Sequence, residues 1–142
     1  MDKKFFFDSV KLVPVYLLFI ATFGQASSEK FLSGGVPDWF VNQFAKTRLN
    51  LFPGSLNLQY FLIATLEAAV VLAFILSAGR LEFVDGNDKS ILKAALLLAL
   101  FVFFALGFGL RMSGDFQGAA NLFLYFGVTF LIFTYVERFA NT

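Results

Sequence analysis

Apolar residues along the chain collect into four long runs that polar segments separate. The runs occupy approximately residues 10–28, 58–79, 91–110 and 119–137. Because an α-helix rises about 1.5 Å per residue, about 20 residues cross a hydrocarbon core of roughly 30 Å. The pattern therefore predicts an all-α integral membrane protein, a bundle of four transmembrane helices in which the first span is the shortest.

The first run also has the features of a signal peptide. Lys3, Lys4 and Lys11 form a basic flank, and the tripeptide GQA at 24–26 has the small-x-small pattern of a cleavage site. Pro14 stands near the start of the run, where a proline least disturbs a helix. We interpret the run as a retained span and keep its removal as the alternative.

The segment 30–57 links the first two spans and should lie on the external side. Pro37 suits the first position of a helix. Trp39, Phe40 and Phe44 then gather on roughly one side of that helix, opposite polar side chains. Because Trp is enriched where membrane meets water, we expect a short amphipathic helix in the outer interface, anchored by these three aromatic residues.

The composition agrees with a membrane environment. The 142 residues are 58% hydrophobic and 15% charged, whereas soluble domains carry about 25% charged residues. The net charge of +1 gives no indication of a nucleic-acid partner. The chain has no Cys and no His, so we expect no metal and no ligated redox cofactor within it. No repeat or linker stands out, so we expect one domain over 1–142.

Basic residues near the span ends indicate the orientation. Seven basic residues fall on the side of both termini: Lys3, Lys4, Lys11, Arg80, Lys89, Lys93 and Arg138. Four fall on the other side: Lys30, Lys46, Arg48 and Arg111. Both termini are therefore predicted to be cytoplasmic. The charged loop 80–90 would lie on the same side, with Asn87 or Asp88 capping the third span.

One acid, Glu67, lies inside the second span. A charged side chain within a bilayer is costly, so Glu67 should face the interior of the bundle. Lys30 and Arg111 are the candidate counter-charges, and the sequence does not decide between them. The polar residues at comparable depth are Gln25, Asp115 and Asn121. We expect these residues to form a polar cluster in the outer half of the bundle, beneath the Trp39 helix and above a nearly pure apolar inner half.

Three roles are open for Glu67. It can form a structural bond between helices, to Lys30, Arg111 or Asn121. It can line a pocket for a small polar or quinone-like head group, or it can be the proton-carrying acid of a transporter.

Two stretches, FGQASSEKFLSGGVPDWF and YFLIATLEAAVVLAFIL, resemble the DoxX-like family of small four-helix bacterial membrane proteins. Lys30 and Gly34 match the family's tendency to place Lys and Gly after the first helix, and Glu67 matches its intramembrane acid. The resemblance implies a multi-pass protein of the bacterial inner membrane, related to subunits associated with thiosulfate:quinone oxidoreduction. Relatives that handle thiols would require cysteines, which this chain lacks.

We expect a non-catalytic accessory or assembly subunit of a larger membrane complex, without activity of its own. The alternative is a quinone-binding membrane subunit of an oxidoreductase of the thiosulfate:quinone type, with quinone as its cofactor. The third hypothesis is a small proton-coupled transporter. The expected partners are the lipid bilayer and either other membrane subunits or a second copy of the chain.

Overall fold

Six helices make up most of the described chain. The computed structural model describes the backbone of residues 3–139, and the side chains of these except at positions 4, 5, 8, 9 and 139. The helices are α1 (Lys3–Val10), α2 (Val13–Leu32), α3 (Asp38–Phe44), α4 (Ser55–Gly79), α5 (Ser90–Ser113) and α6 (Phe116–Phe139). The described part contains no strand, which confirms the all-α class. The ends of the expected domain, 1–2 and 140–142, lie outside the described residues, as does the side chain of Lys4.

Three of these helices are long and apolar enough to cross a membrane. They are α4, α5 and α6, with mean hydropathies of 2.3, 2.5 and 1.7 over their best windows. Helix α2 has 20 residues but does not qualify, because polar residues crowd its last third, from Gln25 to Lys30. Three of the four predicted spans therefore correspond to helices that are long and apolar enough to cross a membrane, and the run 10–28 does not reach the same apolarity.

The sequence interpretation merged two helices at the amino end. The run that begins at residue 10 starts inside α1, which ends at Val10, and α2 then begins at Val13 with Pro14 in its first turn. Pro14 thus opens a helix, where it loses no hydrogen bond. Phe6 and Phe7 of α1 are 48% and 67% exposed, so α1 presents aromatic side chains outward.

The long helices pack in a consecutive order. α2 packs on α4, α4 on α5, and α5 on α6. Aromatic rings fill the centre: Phe19 and Phe74 are stacked with their centroids 4.9 Å apart, and Phe23 and Phe103 are tilted with their centroids 5.1 Å apart. These four buried aromatic side chains add to the hydrophobic stabilisation of the core. Helix α2 supplies two of the four, Phe19 and Phe23, so this segment forms part of the core.

Helix α3 exists, but its three aromatic side chains differ in their exposure. Phe40 packs against Tyr60 of α4 with the ring centroids 5.0 Å apart, and Phe44 is buried with 6% exposure. Trp39 is 61% exposed. The expected three-residue interfacial anchor is therefore wrong for Phe40 and Phe44, which attach α3 to the bundle, and only Trp39 points outward.

Helix α4 ends in a Schellman motif. Leu81 N donates to Ala78 O at 2.9 Å, and Glu82 N donates to Ser77 O at 3.1 Å. This motif needs a left-handed residue, which is usually Gly, yet the residue here is Leu81 with φ +55°. Helix α5 ends in the same motif with Gly114 in that position, at φ +85°. The turn at Leu81 reverses the chain and places Glu82 back against the bundle.

Candidate functional site

The intramembrane acid has a definite partner. Lys30 Nζ donates to both oxygens of Glu67, at 2.9 Å and 3.1 Å. The exposed fraction is 2% for Glu67 and 21% for the Lys30 side chain. The structure therefore answers the question that the sequence left open: Lys30, and not Arg111, neutralises Glu67. We call these two residues the upper ion pair, after the end of the bundle that carries α3.

The helices place this pair through simple geometry. Lys30 lies in the last turn of α2, where the helix dipole favours a cation, and its Nζ also reaches Ala26 O at 3.4 Å. Glu67 lies on the buried side of α4, on one stripe with Ala64, Val70 and Phe74. A buried charge is tolerated only when it is paired. The contact between Lys30 and Glu67 therefore links α2 to α4 and compensates the charge on each helix.

Glu67 also faces an apolar crevice. The crevice encloses about 430 Å³ between α2 and α6, within the roughly 300–1,000 Å³ range of small-molecule sites. Glu67 and Phe103 form part of its deep wall, while Leu18, Tyr125 and Val128 are about half exposed. The crevice therefore opens sideways between the two helices. We call it the α2/α6 crevice.

The chemistry of the crevice is that of an amphiphile site. Its walls are mostly aliphatic and aromatic side chains, and Glu67 is its one charged lining residue. Hydroxyls come from Thr22, Tyr125 and Thr129, and the Thr129 hydroxyl is already committed because it donates to Tyr125 O at 2.7 Å. Such walls suit a ligand with an apolar body and a small polar head. Among the described residues, no group of three or more carboxylates is placed to hold a metal ion.

The other residues predicted for the cluster lie apart from it. Arg111 is exposed, with its guanidinium 4.4 Å from the centroid of the Phe116 ring. Asp115 caps α6, because its Oδ1 accepts from Gly118 N at 2.9 Å. The remaining two make local contacts with residues four positions away along their own helices, Gln25 with Glu29 and Asn121 with Gln117. Of the six residues predicted for the cluster, the contacts between described side chains join Glu67 to Lys30, and the other four make the local contacts given above.

Helix α3 does not cover the upper ion pair. Its Phe40 rests on Tyr60, seven residues or about 10 Å along α4 from Glu67. Its Gln43 donates to Ser113 Oγ at the end of α5, at 3.2 Å. The helix therefore lies over α4 and α5, while the α2/α6 crevice is on another side of the bundle.

A second buried polar group lies at the opposite end of the bundle, which the sequence interpretation took to be purely apolar. Ser77 Oγ donates to Glu82 Oε2 at 2.8 Å and lies 2.6 Å from the Tyr16 hydroxyl. Because the Ser77 proton is engaged with Glu82, Tyr16 donates to Ser77. We call Tyr16, Ser77 and Glu82 the lower cluster. The prediction of a dry inner half was wrong.

Glu82 also caps α5. Its Oε2 accepts from Leu92 N at 2.6 Å and its Oε1 from Ile91 N at 3.3 Å. These amides belong to the first turn, which has no intrahelical partner for them. The cap expected from Asn87 or Asp88 is therefore supplied by Glu82; Asn87 donates instead to Leu81 O, and Asp88 accepts from the Ser90 hydroxyl.

Lys89 is the buried cation of the same region. It is fully buried, and its Nζ donates to Val84 O at 2.7 Å and to Asn87 O at 3.3 Å. Burial lowers the pKa of Lys89, against the opposing influence of the nearby Asp85 and Glu82 carboxylates. Lys89 therefore stabilises the loop between α4 and α5 by donating hydrogen bonds to its carbonyl oxygens.

An apolar layer separates the two polar groups. Glu67 and Ser77 lie ten residues apart on α4, or about 15 Å. Val70 and Phe74, both fully buried, occupy the same face between them. The buried face of α4 therefore carries no polar side chain between Glu67 and Ser77.

The crevice and the lower cluster are what the sequence interpretation missed. Thr22, Tyr125 and Thr129 are uncharged residues inside apolar runs, and only the fold, which places α2 and α6 on the two sides of one crevice, shows that they share a cavity. The lower cluster left a weak signal, because Tyr16 and Ser77 are hydroxyl residues near the same predicted end of two spans.

Comparison with protein-family models, with curated proteins and with solved structures finds no match to this chain.

Proposed function

We propose that the chain is a membrane subunit that binds a quinone-like, lipid-soluble amphiphile in the α2/α6 crevice. The observation that carries the proposal is the joining of an apolar, sideways-open crevice to the buried Glu67 carboxylate. A polar head would reach Glu67, while the apolar body would contact the aliphatic and aromatic walls. A ligand dissolved in the bilayer could enter between α2 and α6 without crossing water.

The subunit would have no redox activity of its own. The sequence contains no Cys and no His, so electrons for a bound quinone would have to come from a partner subunit. This assignment joins the accessory-subunit hypothesis to the quinone-binding one. It also agrees with a DoxX-like relationship, which we retain as a proposal on the strength of Lys30, Gly34 and Glu67.

We further propose that α2 is the fourth span, with α3 in the outer interface and both termini in the cytoplasm of a bacterium. The polar residues that lower the hydropathy of α2 include Lys30, whose charge is neutralised by Glu67. That pairing reduces the cost of placing the end of α2 in the bilayer. Because the chain has no Cys, single replacements Ser33→Cys and Asn87→Cys should be labelled by an impermeant maleimide from opposite sides of the membrane.

A proton-coupled transporter is not our proposal. Transport of a proton from Glu67 to the lower cluster would have to pass the layer formed by Val70 and Phe74, which supply no polar atom.

The proposed function is tested by ligand binding to the full-length protein in lipid nanodiscs. We expect a short-tailed benzoquinone or benzoquinol to bind with saturable affinity, and the variant Ala26→Phe to abolish binding because Ala26 lines the crevice. The matched control is Ala105→Phe, an equal change on the exposed face of α5. Binding that is absent in the wild type, or equally reduced by both variants, would contradict the proposal.

A further inference from the structure

We infer that the α2/α6 crevice selects a neutral head group that donates a hydrogen bond, and so prefers a quinol to the corresponding quinone. This inference rests on the proposed function and adds the chemical class of head group. Its basis is an accounting of donors and acceptors at the deep wall of the crevice.

The deep wall offers spare acceptors. A carboxylate can accept about four hydrogen bonds, and Glu67 receives two, both from Lys30 Nζ. Glu67 lines the crevice, whereas Lys30 is not among the lining residues. A head group that reaches this wall therefore meets oxygen lone pairs before it meets an ammonium proton.

The same wall has few hydrogen-bond donors that are not already engaged. The three protons of Lys30 are directed at Glu67 Oε1, Glu67 Oε2 and Ala26 O. The hydroxyl of Thr129, which also lines the crevice, donates its proton to Tyr125 O. A quinone carbonyl, which can only accept, would face Glu67 without a bond, whereas a quinol hydroxyl can donate to it.

The charge of the head group follows from the ion pair. Glu67 is already neutralised by Lys30 at 2.9 Å, so the pair has no net charge to offer an ion. An ammonium head would approach the Lys30 cation, and an anionic head would approach the Glu67 carboxylate; both contacts are repulsive at close range. A neutral hydroxyl avoids both.

Two hydroxyls nearer the opening do not reverse this preference. Tyr125 is 50% exposed and Thr22 is also exposed, and each can donate or accept. They can therefore contact either form of the ligand, and the discrimination rests on Glu67.

The test compares three ligands of one shape under anaerobic conditions: a short-tailed benzoquinol, its quinone and the dimethyl ether of the quinol. Because a hydrogen bond to a charged group contributes about 1.5–3 kcal/mol, we expect the quinol to bind the full-length wild type on the order of ten- to a hundredfold more tightly than the other two. A tenfold preference would raise the two-electron potential of the bound couple by about 30 mV.

The control variants locate the effect. Glu67→Gln, whose amide both donates and accepts, should reduce the preference for the quinol, and Thr65→Val on the exposed side of α4 should leave it unchanged. Equal affinities of the wild type for all three ligands would overturn the inference and leave the proposed function standing. Binding of none of them would overturn the proposed function itself.

Discussion

The two buried carboxylates of this protein are equally inaccessible but differ in what surrounds them. Glu67 and Glu82 are each 2% exposed. Glu82 accepts from three separate donors of the fold, namely Ser77, Ile91 and Leu92. Glu67 has Lys30 as its one donor and faces a crevice. Burial of an acid therefore does not by itself indicate a binding site, and our proposal for Glu67 rests on its unused acceptor capacity beside a crevice.

The polar groups at the two ends of the bundle differ in the helices that they join. The lower cluster joins α2, α4 and α5 and satisfies amides that would otherwise lack partners. The upper ion pair joins only α2 and α4. A buried ion pair often stabilises no more than apolar residues of the same volume, so we propose a role in ligand binding for the upper ion pair.

The largest effect should come from the lower cluster. Glu82→Ala leaves two first-turn amides and the Ser77 hydroxyl without their acceptor, so we expect the free energy of unfolding in detergent to fall by about 3 kcal/mol. The measurement is unfolding by SDS titration, followed by circular dichroism. The exposed Glu29→Ala should stay within about 0.5 kcal/mol of the wild type. A Glu82→Ala protein as stable as that control would remove the structural role.

The upper ion pair should respond differently to single and double replacement. Lys30→Met leaves Glu67 buried without a counter-charge, so we expect the free energy of unfolding to fall. The expected loss is about 2 kcal/mol, less than for a fully buried pair, because Lys30 is partly exposed. Adding Glu67→Leu should recover most of that loss in the same unfolding assay. If the double variant were as unstable as Lys30→Met alone, the pair would be a structural element like the lower cluster, and the contrast between the two ends would fail.

The turn that presents Glu82 should be open to improvement. Leu81 occupies a left-handed position that costs an L-residue about 1–2 kcal/mol, and Leu81→Gly should therefore stabilise the protein by about 0.5–1 kcal/mol after the extra chain entropy of Gly. At the equivalent position of α5, Gly114→Ala should destabilise instead. A lower melting temperature for Leu81→Gly would contradict the claim that the left-handed conformation of Leu81 costs stability.

The smallest effect concerns pH and Lys89. Burial lowers the pKa of Lys89 from its ordinary 10.5, so between the lowered value and 10.5 the unfolded chain binds a proton that the folded chain has released. Stability from this group therefore rises with pH through that window. The unfolding free energy of the wild type relative to Lys89→Met should increase as pH is raised toward 10.5. A difference that falls with pH would contradict the assigned cause.

The sequence predicted the elements better than their contacts. Three of the four apolar runs correspond to α4, α5 and α6, because twenty or more apolar residues leave few alternatives to a helix in a membrane. The separate helix α1 was not predicted, although Pro14 favours the start of a new helix at this point.

Partners of charged residues were harder to predict than the residues themselves. Glu67 stood out as an acid in an apolar run, but its pairing with Lys30 rather than Arg111 depends on which helices pack together. Glu82 was overlooked because it lies in the charged stretch RLEFVDGNDKS. Its inward direction comes from the left-handed turn at Leu81, a position that the sequence gives no reason to expect, since Gly79 is the residue that suggests a turn.

The most direct test of the account is ligand binding by the double variant Lys30→Met/Glu67→Leu, compared with Glu82→Gln. We predict that the double variant, with near wild-type stability, binds a short-tailed benzoquinol at least about tenfold more weakly, because the hydrogen bond to Glu67 is lost. Glu82→Gln should retain wild-type affinity in its folded fraction. Undiminished quinol binding by the double variant would contradict the claim that the upper ion pair is kept for a ligand.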